Sequence, residues 1–528
     1  MQLSWYSIIP PIVILLMATF SKKIIPSIIA GCIIACLLTT DFDIFEAAKL
    51  LFVRSHISAG TLMLFGFVFF VGIIIALINA TGGATAFANL ITKRIRSARQ
   101  VESTSFLMAF ILFIDDYLST VTMGYVLQPL TDKFRIPRAK LAFLIHSLGS
   151  PVVVMAPISS WIAIITNQLE AAGVSNNPIF APKFLADQFF VFLKTIPFLL
   201  YSILIITSAW IIVRFKLSFG PMAKQEIIAS ETGNVFGGKS PHKIAHHETQ
   251  KKSSIWDLFI PIITLVAGVF IGIPYTGGFW LFGGNNSLVQ AFTKCPDIGP
   301  ILFTSSLIAL ILGLIFGLWQ KKVHFYSWPS LIKEGYNLMF SAILIVFTAG
   351  ILGSILKNDL HTGQYLSYLL EPILNISFLP ATLFLVSFLI SLSIGTAWGT
   401  LAILIPIAIQ MLSQMMGITG AIDLNQAILL CPTLGAVLSG AIAGNQISPI
   451  SDTTFLTVAC TGVYRNDHIN TQLWYALPAI IFAFLGFLIM PSVLIYSFWK
   501  GMLLTTGFSI GLCVITLFIL NRFFKNYK

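Results

Sequence analysis

Two adjacent aspartates, Asp115 and Asp116, stand in the middle of an apolar stretch that covers residues 106–127. Lipid offers no water to solvate a carboxylate, so an ionisable group at membrane depth is costly unless it faces protein, a water-filled cavity or a cation. Ser119 and Thr120 follow closely and add hydroxyl oxygens, which suit a hard cation such as sodium. Because adjacent like charges repel, the carboxylates are expected to share a proton that a bound cation would expel. The segment predicts a cation or proton site, with a cytoplasmic loop or a structural cap as the alternative.

A second acidic motif, Ser-Pro-Ile-Ser-Asp-Thr-Thr, occupies residues 448–454. Pro449 lacks a backbone N–H and is expected to break the helix in which it stands. Asp452 follows this break, and Ser451 and Thr453 place further oxygen ligands beside it. The motif predicts a second part of an ion site, and the competing interpretation of Asp452 is a simple helix N-cap.

Two further interruptions are predicted without an acid. Residues 156–161 read Ala-Pro-Ile-Ser-Ser-Trp and parallel residues 448–453, so the site is expected to be asymmetric. Residues 395–400 read Gly-Thr-Ala-Trp-Gly-Thr, a break that would present backbone carbonyls to an ion, with simple helix packing as the alternative. The residues expected to shape these two breaks are Pro157, Ser159, Ser160, Gly395, Thr396, Trp398 and Gly399.

Two histidines fall in or beside the apolar stretches. His146 stands next to small residues and would be a proton relay near neutral pH, although a helix–helix hydrogen bond explains it equally. Asp467 and His468 follow Arg465 and are expected at the cytoplasmic surface, with a gating role as the alternative.

The composition fixes the class of protein. The chain has 528 residues, of which 57% are hydrophobic and 10% charged, whereas soluble domains contain about 25% charged residues. Continuous apolar runs of about 17–25 residues recur along the chain and suit membrane-spanning helices. A β-barrel would show shorter alternating segments instead. The first run, which has no preceding Lys or Arg, is expected to be a retained helix rather than a cleaved signal peptide.

Thirteen apolar spans are predicted, and one long polar interval divides them. The interval covers residues 215–255, and its histidines His242, His246 and His247 are interpreted as part of a solvated linker rather than a metal site. The predicted spans are 7–20, 24–40, 62–80, 103–127, 138–169, 188–213, 256–273, 299–318, 337–356, 379–411, 426–461, 473–498 and 502–522.

The distribution of basic residues predicts that residues 103–127 enter the membrane and return. Clusters of Lys and Arg flank this segment on both sides, at residues 93–99 and 133–140, and such clusters favour the cytoplasm. A single crossing would place one cluster outside. With an equivalent hairpin at 379–411, the chain makes about eleven full crossings, and its N-terminus is outside and its C-terminus cytoplasmic.

The matching order of breaks in the two halves predicts an inverted repeat, which is typical of secondary transporters with sites at the midplane. The expected fold is an all-α polytopic membrane protein with re-entrant hairpins, interrupted helices and about 11–13 membrane segments. The expected organisation is a first transmembrane repeat at 1–214, a cytoplasmic linker at 215–255, a second repeat at 256–498, and an extra transmembrane helix with a basic tail at 499–528.

Taken together, the motifs resemble the NhaC family of sodium/proton antiporters over about residues 60–480. The resemblance implies an ion-transporter fold of two inverted repeats and exchange of sodium for protons at the cytoplasmic (inner) membrane. The matching elements are residues 81–87, 113–117, 129–133, 156–162, 396–400, 448–454 and 467–473.

One departure from the family pattern affects proton coupling. The family usually has Asp-His just before its Ser-Pro-Ile-Ser-Asp-Thr-Thr motif, where this chain has Asn445 and Gln446. An amide keeps hydrogen bonding but cannot take or release a proton. A relay shifted to His146, with Asn445 as a hydrogen-bonding member, is therefore an open possibility.

The leading hypothesis is a secondary sodium/proton antiporter, in which both ions compete for Asp115, Asp116 and Asp452 by alternating access. The alternative is a sodium- or proton-coupled carrier or exchanger of a small organic acid or amino acid. An intramembrane aspartyl protease is disfavoured because adjacent acids cannot flank a peptide bond, so we do not expect an enzyme. The expected partners are sodium ions, protons and the lipid bilayer, with no cofactor and no nucleic acid; the oligomeric state is open, a homodimer included.

Overall fold

The structure of the chain is a computed structural model. The structure describes residues 5–21, 23–56, 59–92, 95–176, 182–240, 253–293, 298–324, 326, 328–370, 374–418, 420–494 and 497–524. The predicted linker histidines, His242, His246 and His247, lie outside these residues, as do Lys93 and Arg94 of the first basic cluster.

The described chain is almost entirely helical. Short 3-10 helices occur at Trp5–Ile8, Ile196–Phe198, Trp280–Phe282 and Ile376–Phe378. The helices of the first half are α1 (Ile9–Ser21), α2 (Ile24–Thr39), α3 (Ile44–Arg54), α4 (Ala59–Thr81), α5 (Gly83–Thr92), α6 (Ala98–Ile111), α7 (Asp116–Lys133), α8 (Arg138–Met155), α9 (Trp161–Ala172), α10 (Gln188–Thr195), α11 (Leu200–Phe215) and α12 (Gly220–Thr232).

The described residues of the second half form eleven more helices. They are α13 (Trp256–Thr276), α14 (Leu288–Thr293), α15 (Gly299–Trp319), α16 (Trp328–Asn358), α17 (Thr362–Leu370), α18 (Leu379–Ile394), α19 (Ala397–Met415), α20 (Leu430–Ile447), α21 (Asp452–Thr461), α22 (Arg465–Leu494) and α23 (Phe498–Phe524). Two strands of two residues each, β1 (Phe184–Leu185) and β2 (Ile422–Asp423), pair in parallel.

Among the described residues, ten helical segments are long and apolar enough to cross a membrane, and three shorter apolar helices accompany them. This result confirms the prediction of an all-α polytopic membrane protein. Each of the predicted spans 138–169 and 426–461 consists of two helices, because a proline-containing break interrupts it.

The first hairpin is formed by α6 and α7, which meet at the break 112–115. Glu102, near the start of α6, forms an ion pair of 2.9 Å with Lys140 at the start of α8. Asp132, at the end of α7, forms an ion pair of 2.6 Å with Arg138, also at the start of α8. The hairpin therefore enters and leaves on one side of the molecule, which we name the Arg138 face, and the predicted re-entrant segment is confirmed.

The second hairpin, α18 and α19, begins on the opposite side. The Ser387 and Ser391 hydroxyls on α18 donate to the carbonyls of Val437 and Ala441 on α20, at 2.7 and 2.6 Å, so these two helices run in parallel. Close approach depends on the small residues of α20, since a Cβ at Gly440 would meet the carbonyl oxygen of Phe384.

Two interrupted helices run in opposite directions through the molecule. α8 and α9 run from the Arg138 face to the side on which Gly173 ends α9, which we name the Gly173 face. α20 and α21 run back, because the Arg138 guanidinium donates to the carbonyl of Thr461 at the end of α21. The strand pair joins the segments that follow α9 and α19, so both helices end on the Gly173 face.

The two halves pack against each other reciprocally. α7 of the first hairpin contacts α21 of the second interrupted helix, and α19 of the second hairpin contacts α9 of the first. This exchange brings both hairpin tips and both helix breaks together, which is the inverted arrangement that the matching order of motifs predicted.

Part of the predicted linker packs against the helices. Helix α12 contacts α8 and α22, and its Glu226 carboxylate lies 2.6 Å from Lys140 Nζ. The ammonium of Lys140 is thus buried between two carboxylates, which offsets its loss of hydration. This ion-pair group fixes α6, α8 and α12 to one another at the Arg138 face.

Candidate functional site

Asp115 connects the tip of the first hairpin to the break in the first interrupted helix. It is the N-cap of α7, where its carboxylate accepts a hydrogen bond of 3.0 Å from Leu118 N. The Ser160 hydroxyl donates to the same carboxylate at 2.9 Å, and Ser160 N donates to the carbonyl of Ile114 at 2.9 Å. The cap that sequence offered as an alternative is therefore present at Asp115, together with a contact across the site.

Asp116 occupies the first turn of α7, where it caps no helix. It is 3% exposed, and the Ser150 hydroxyl on α8 donates to its Oδ2 at 2.7 Å. Its carboxylate lies close enough to Asp115 and Asp452 to interact electrostatically with both. The Asp116 carboxylate therefore interacts electrostatically with an acid from each half of the molecule.

Asp452 belongs to the second interrupted helix and is half-buried. Ser451, and not Asp452, is the N-cap of α21, since its hydroxyl accepts from Thr454 N at 3.3 Å. Asp452 accepts instead from the Tyr117 hydroxyl at 2.7 Å and from Asn445 Nδ2 at 3.2 Å. The simple N-cap interpretation of Asp452 is therefore wrong.

Sequence reasoning missed Tyr117 and Ser150, which hold the aspartates. Tyr117 directly follows the acid pair, and a phenol hydroxyl beside two carboxylates was the available signal. Ser150 stands on α8 in a stretch of small residues, and only the packing of α8 against α7 brings it to Asp116.

The glycine break at Gly395 presents its carbonyl to the second acidic motif. Gly395 ends α18 at φ +77°, a conformation that L side chains rarely adopt. Its carbonyl accepts from Asp452 N at 3.3 Å and from Asn445 Nδ2 at 3.5 Å. The neighbouring Thr396 stands at the N-cap position of α19 without a side-chain cap.

The other residues of these breaks pack around the site. The ring of Trp398 meets that of Trp161 edge-on, with centroids 5.9 Å apart, and Gly399 allows Ile24 to approach α19 closely. Pro157 lines a lateral apolar cavity, while Pro449 is exposed in the turn between α20 and α21.

Unsatisfied hydroxyl groups lie on both elements that hold Asp115. Ser119 and Ser159 are 0% and 1% exposed, and within the described structure their oxygens have no hydrogen-bond partner. Thr120 is buried beside Gly149. Because buried hydroxyls normally find partners, the two orphan oxygens are candidates for ligands of a cation.

A hydrogen-bonded row leads from the second acidic motif toward the Arg138 face. The Thr453 hydroxyl contacts Asn445 Oδ1 and lies 3.0 Å from His146 Nε2. His146 Nδ1 lies 3.0 Å from His468 Nε2. The neighbouring Asp467 binds Lys239 at 2.8 Å.

The expected surface position of His468 is wrong. Its side chain is 1% exposed because α22 packs its first turns against α8, whereas the neighbouring Asp467 keeps a partly exposed side chain. His146 makes the helix–helix hydrogen bond that sequence offered as one alternative, and the same ring contacts Thr453.

The three aspartates do not converge on one point. Among the described residues, no three side chains of His, Cys, Asp or Glu are placed to hold a single metal ion. Asp115 and Asp116 form an occluded pair, and Asp452 lies nearer the surface behind Tyr117. Chemically, the arrangement offers carboxylate and hydroxyl oxygens in two adjoining compartments of one site.

A family profile and a relative of similar length match this chain. The profile of the Na+/H+ antiporter family matches residues 152–491. An uncharacterized protein of Haemophilus influenzae is 28% identical over 504 residues, which cover 92% of this chain and 91% of that protein.

Shorter matches connect the chain to two antiporters. The malate-2H(+)/Na(+)-lactate antiporter of Bacillus subtilis is 32% identical over 216 residues, which cover 38% of this chain and 41% of the relative. The Na(+)/H(+) antiporter NhaC of Alkalihalophilus pseudofirmus is 29% identical over 181 residues, or 34% and 36% of the two chains.

A solved structure shares the fold. Neisseria gonorrhoeae MtrF, described as belonging to a class of antimetabolite efflux pumps, superimposes with a TM-score of 0.56 at 16% identity, covering 87% of this chain and 86% of MtrF. The family and the relatives with a named activity are transporters, not enzymes, and they agree with the resemblance to NhaC. The chain therefore belongs to the Na+/H+ antiporter family and is a secondary antiporter.

Proposed function

We propose that this antiporter exchanges sodium for protons at Asp115 and Asp116, with Asp452 as the acid that lies nearer the surface. The observation that carries the proposal is the adjacent, buried pair of carboxylates at the tip of a re-entrant hairpin, beside the orphan hydroxyls of Ser119 and Ser159. Two neighbouring carboxylates in a dry site are difficult to ionise together, so one of them holds a proton or faces a cation.

Exchange then follows from competition for the same oxygens. When sodium binds from one compartment, the carboxyl proton leaves to that compartment and the carboxylate becomes a ligand. When the site faces the other compartment, a proton displaces sodium and restores the carboxyl group. Each cycle therefore conserves charge at the pair and carries one species in each direction, whichever gradient is larger.

The inverted repeat supports alternating access. The Tyr117–Asp452 hydrogen bond joins the first hairpin to the second interrupted helix, and the Ser160–Asp115 bond joins the same hairpin to the first. Movement of the hairpins against the interrupted helices would break one of these hydrogen bonds while the other remains formed.

We assign the Arg138 face to the cytoplasm because it carries Arg135, Arg138 and Lys133, and cytoplasmic loops are rich in such residues. The N-terminus is then outside, the C-terminus cytoplasmic, and the protein lies in the cytoplasmic membrane. The row through Thr453, His146 and His468 leads from Asp452 to this face and supplies a path for protons.

The second candidate is coupled transport of a small organic acid or amino acid. It is favoured by the Bacillus subtilis relative, whose name includes malate and lactate. Binding of such a solute to the purified protein would separate this candidate from cation exchange alone.

The test of the leading candidate is proton flux in inverted vesicles after addition of sodium, lithium or potassium across a pH series. We expect sodium-dependent proton movement, with a weaker apparent affinity for sodium at lower pH because protons then occupy the carboxylates. Asp116→Asn should abolish it. The control Asp41→Asn changes an exposed acid and should transport normally. Undiminished exchange by Asp116→Asn would remove the pair from the mechanism.

A further inference from the structure

A cavity of about 270 Å³, lined by both polar and apolar side chains, lies near the Gly173 face, between α4, α9 and α16 and the end of α3. Its lining includes Glu170 on α9, ten residues after Ser160, so about 15 Å of helix separates it from the Asp115 contact. The cavity is therefore distinct from the carboxylate pair. Its charged and amide-bearing lining residues include Arg54, Asn167, Glu170, Lys357 and Asn358.

The two cations of this cavity differ in their partners. Arg54 is neutralised by Asp359, which accepts from its guanidinium at 3.0 and 2.7 Å. Within the part of the chain that the structure describes, Lys357 forms no ion pair. The charged group that acts on Lys357 is another ammonium, that of Lys183. A buried ammonium without an acidic partner is stabilised when an anion binds beside it.

The surroundings of Lys357 add geometry to this charge. Its Nζ lies 2.9 Å from the position that a Cβ on Gly173 would take, at the C-terminal end of α9. The C-terminal end of a helix favours a cation. This preference accounts for a lysine at this position but not for the cavity beside it. Asn167, six residues before Gly173 on α9, places an amide in the same lining.

We propose that this cavity binds a small carboxylate-bearing solute, with Lys357 as the charge partner and Asn167 as a polar contact. A volume near 270 Å³ is several times the roughly 30 Å³ that one water takes up in the liquid, so it suits a solute of a few heavy atoms. The inference goes beyond cation exchange at Asp116 and does not depend on it.

The test is calorimetric titration of the purified full-length protein with succinate, glycine and chloride. We expect one or both carboxylates to bind more tightly than chloride, and the preference between them tells a dicarboxylate from an amino acid. Lys357→Met should weaken this binding tenfold or more, as loss of a charge-assisted hydrogen bond does. Lys49→Met is the matched control, because it removes an exposed lysine paired with Glu46.

A second variant keeps the proposal testable if Lys357→Met does not fold. Ser354→Met fills the cavity but retains both cations, and it should also lose the carboxylates. Asp116→Asn should lose cation exchange while it keeps carboxylate binding, so the two proposals fail separately. The inference is overturned if neither carboxylate binds, if chloride binds as tightly, or if Lys357→Met binds as well as the unchanged protein.

Discussion

The two hairpin tips have the same architecture and different chemistry. At the first tip, Asp115 caps α7 and Asp116 follows it; at the second, Thr396 stands at the N-cap position of α19 and Ala397 follows. The first tip offers side-chain carboxylates, whereas the second offers the backbone carbonyl of Gly395. The fold is thus repeated while the acids are not.

The interrupted helices show the reverse distribution. The break before α9 supplies only hydroxyls, from Ser159 and Ser160, whereas the break before α21 supplies Asp452. Reciprocal packing places the acid-rich tip beside both breaks. An inverted repeat therefore provides two similar frames, and acids at different positions in the two halves make the candidate site asymmetric.

The largest expected effect comes from the acid of the second half. Asp452→Asn removes the carboxylate that accepts hydrogen bonds from Tyr117 and Asn445. Sodium-driven proton flux should therefore fall to the level of empty vesicles. The measurement is the vesicle assay, and Asp423→Asn, an exposed acid on the Gly173 face, is the control. Full activity of Asp452→Asn would confine the chemistry to the first half.

The second tip is tested through its backbone. Gly395→Ala places a Cβ 2.7 Å from the carbonyl oxygen of Ile450 at φ +77°, so we expect about 2–4 kcal/mol of destabilisation from strain and overpacking. At Gly417, φ is +65° and no atom of the described residues lies within 4 Å, so Gly417→Ala leaves only the backbone strain of about 1–2 kcal/mol. Thermal unfolding of the two variants compares these effects, and equal destabilisation would show that the contact with Ile450 is unimportant.

The link between the halves is tested at Tyr117. Tyr117→Phe removes a charge-assisted hydrogen bond to Asp452, which is worth about 1.5–3 kcal/mol. The apparent affinity for sodium should therefore fall by roughly tenfold or more. Tyr368→Phe, at an exposed phenol, is the matched control. An unchanged sodium dependence in Tyr117→Phe would mean that the Asp115–Asp116 pair and Asp452 act independently.

The smallest effect is expected at an orphan hydroxyl. Ser159→Ala breaks no hydrogen bond within the described structure, so stability should change little, while apparent sodium affinity falls by about threefold to tenfold if this oxygen is a ligand. Ser439→Ala removes another buried orphan hydroxyl, on α20. Equal sodium affinities in the two variants would exclude Ser159 as a ligand.

The sequence predicted the arrangement of the helices better than the side-chain contacts of the site. Apolar runs, flanking charges and matched breaks predicted the re-entrant hairpin and the inverted order, because these features depend on hydropathy and on proline and glycine. It also located the acids, since a charge in an apolar run is conspicuous.

The partners of those acids required the folded chain. Ser150 and Asp116 are 34 residues apart, and Tyr117 and Asp452 are 335 apart, so no local pattern joins them. The burial of His468 was missed for the same reason: its charged neighbours suggest a surface, and only the packing of α22 against α8 encloses it.

Proton release on sodium binding tests the central claim most directly. Purified protein in weakly buffered solution is titrated with sodium chloride while the pH is recorded, and choline chloride serves as the salt control. Competition at the carboxylate pair predicts release of about one proton for each sodium bound, as ligand deprotonation requires, and none from Asp115→Asn/Asp116→Asn. Sodium binding without proton release, or equal release by the double variant, would contradict the account.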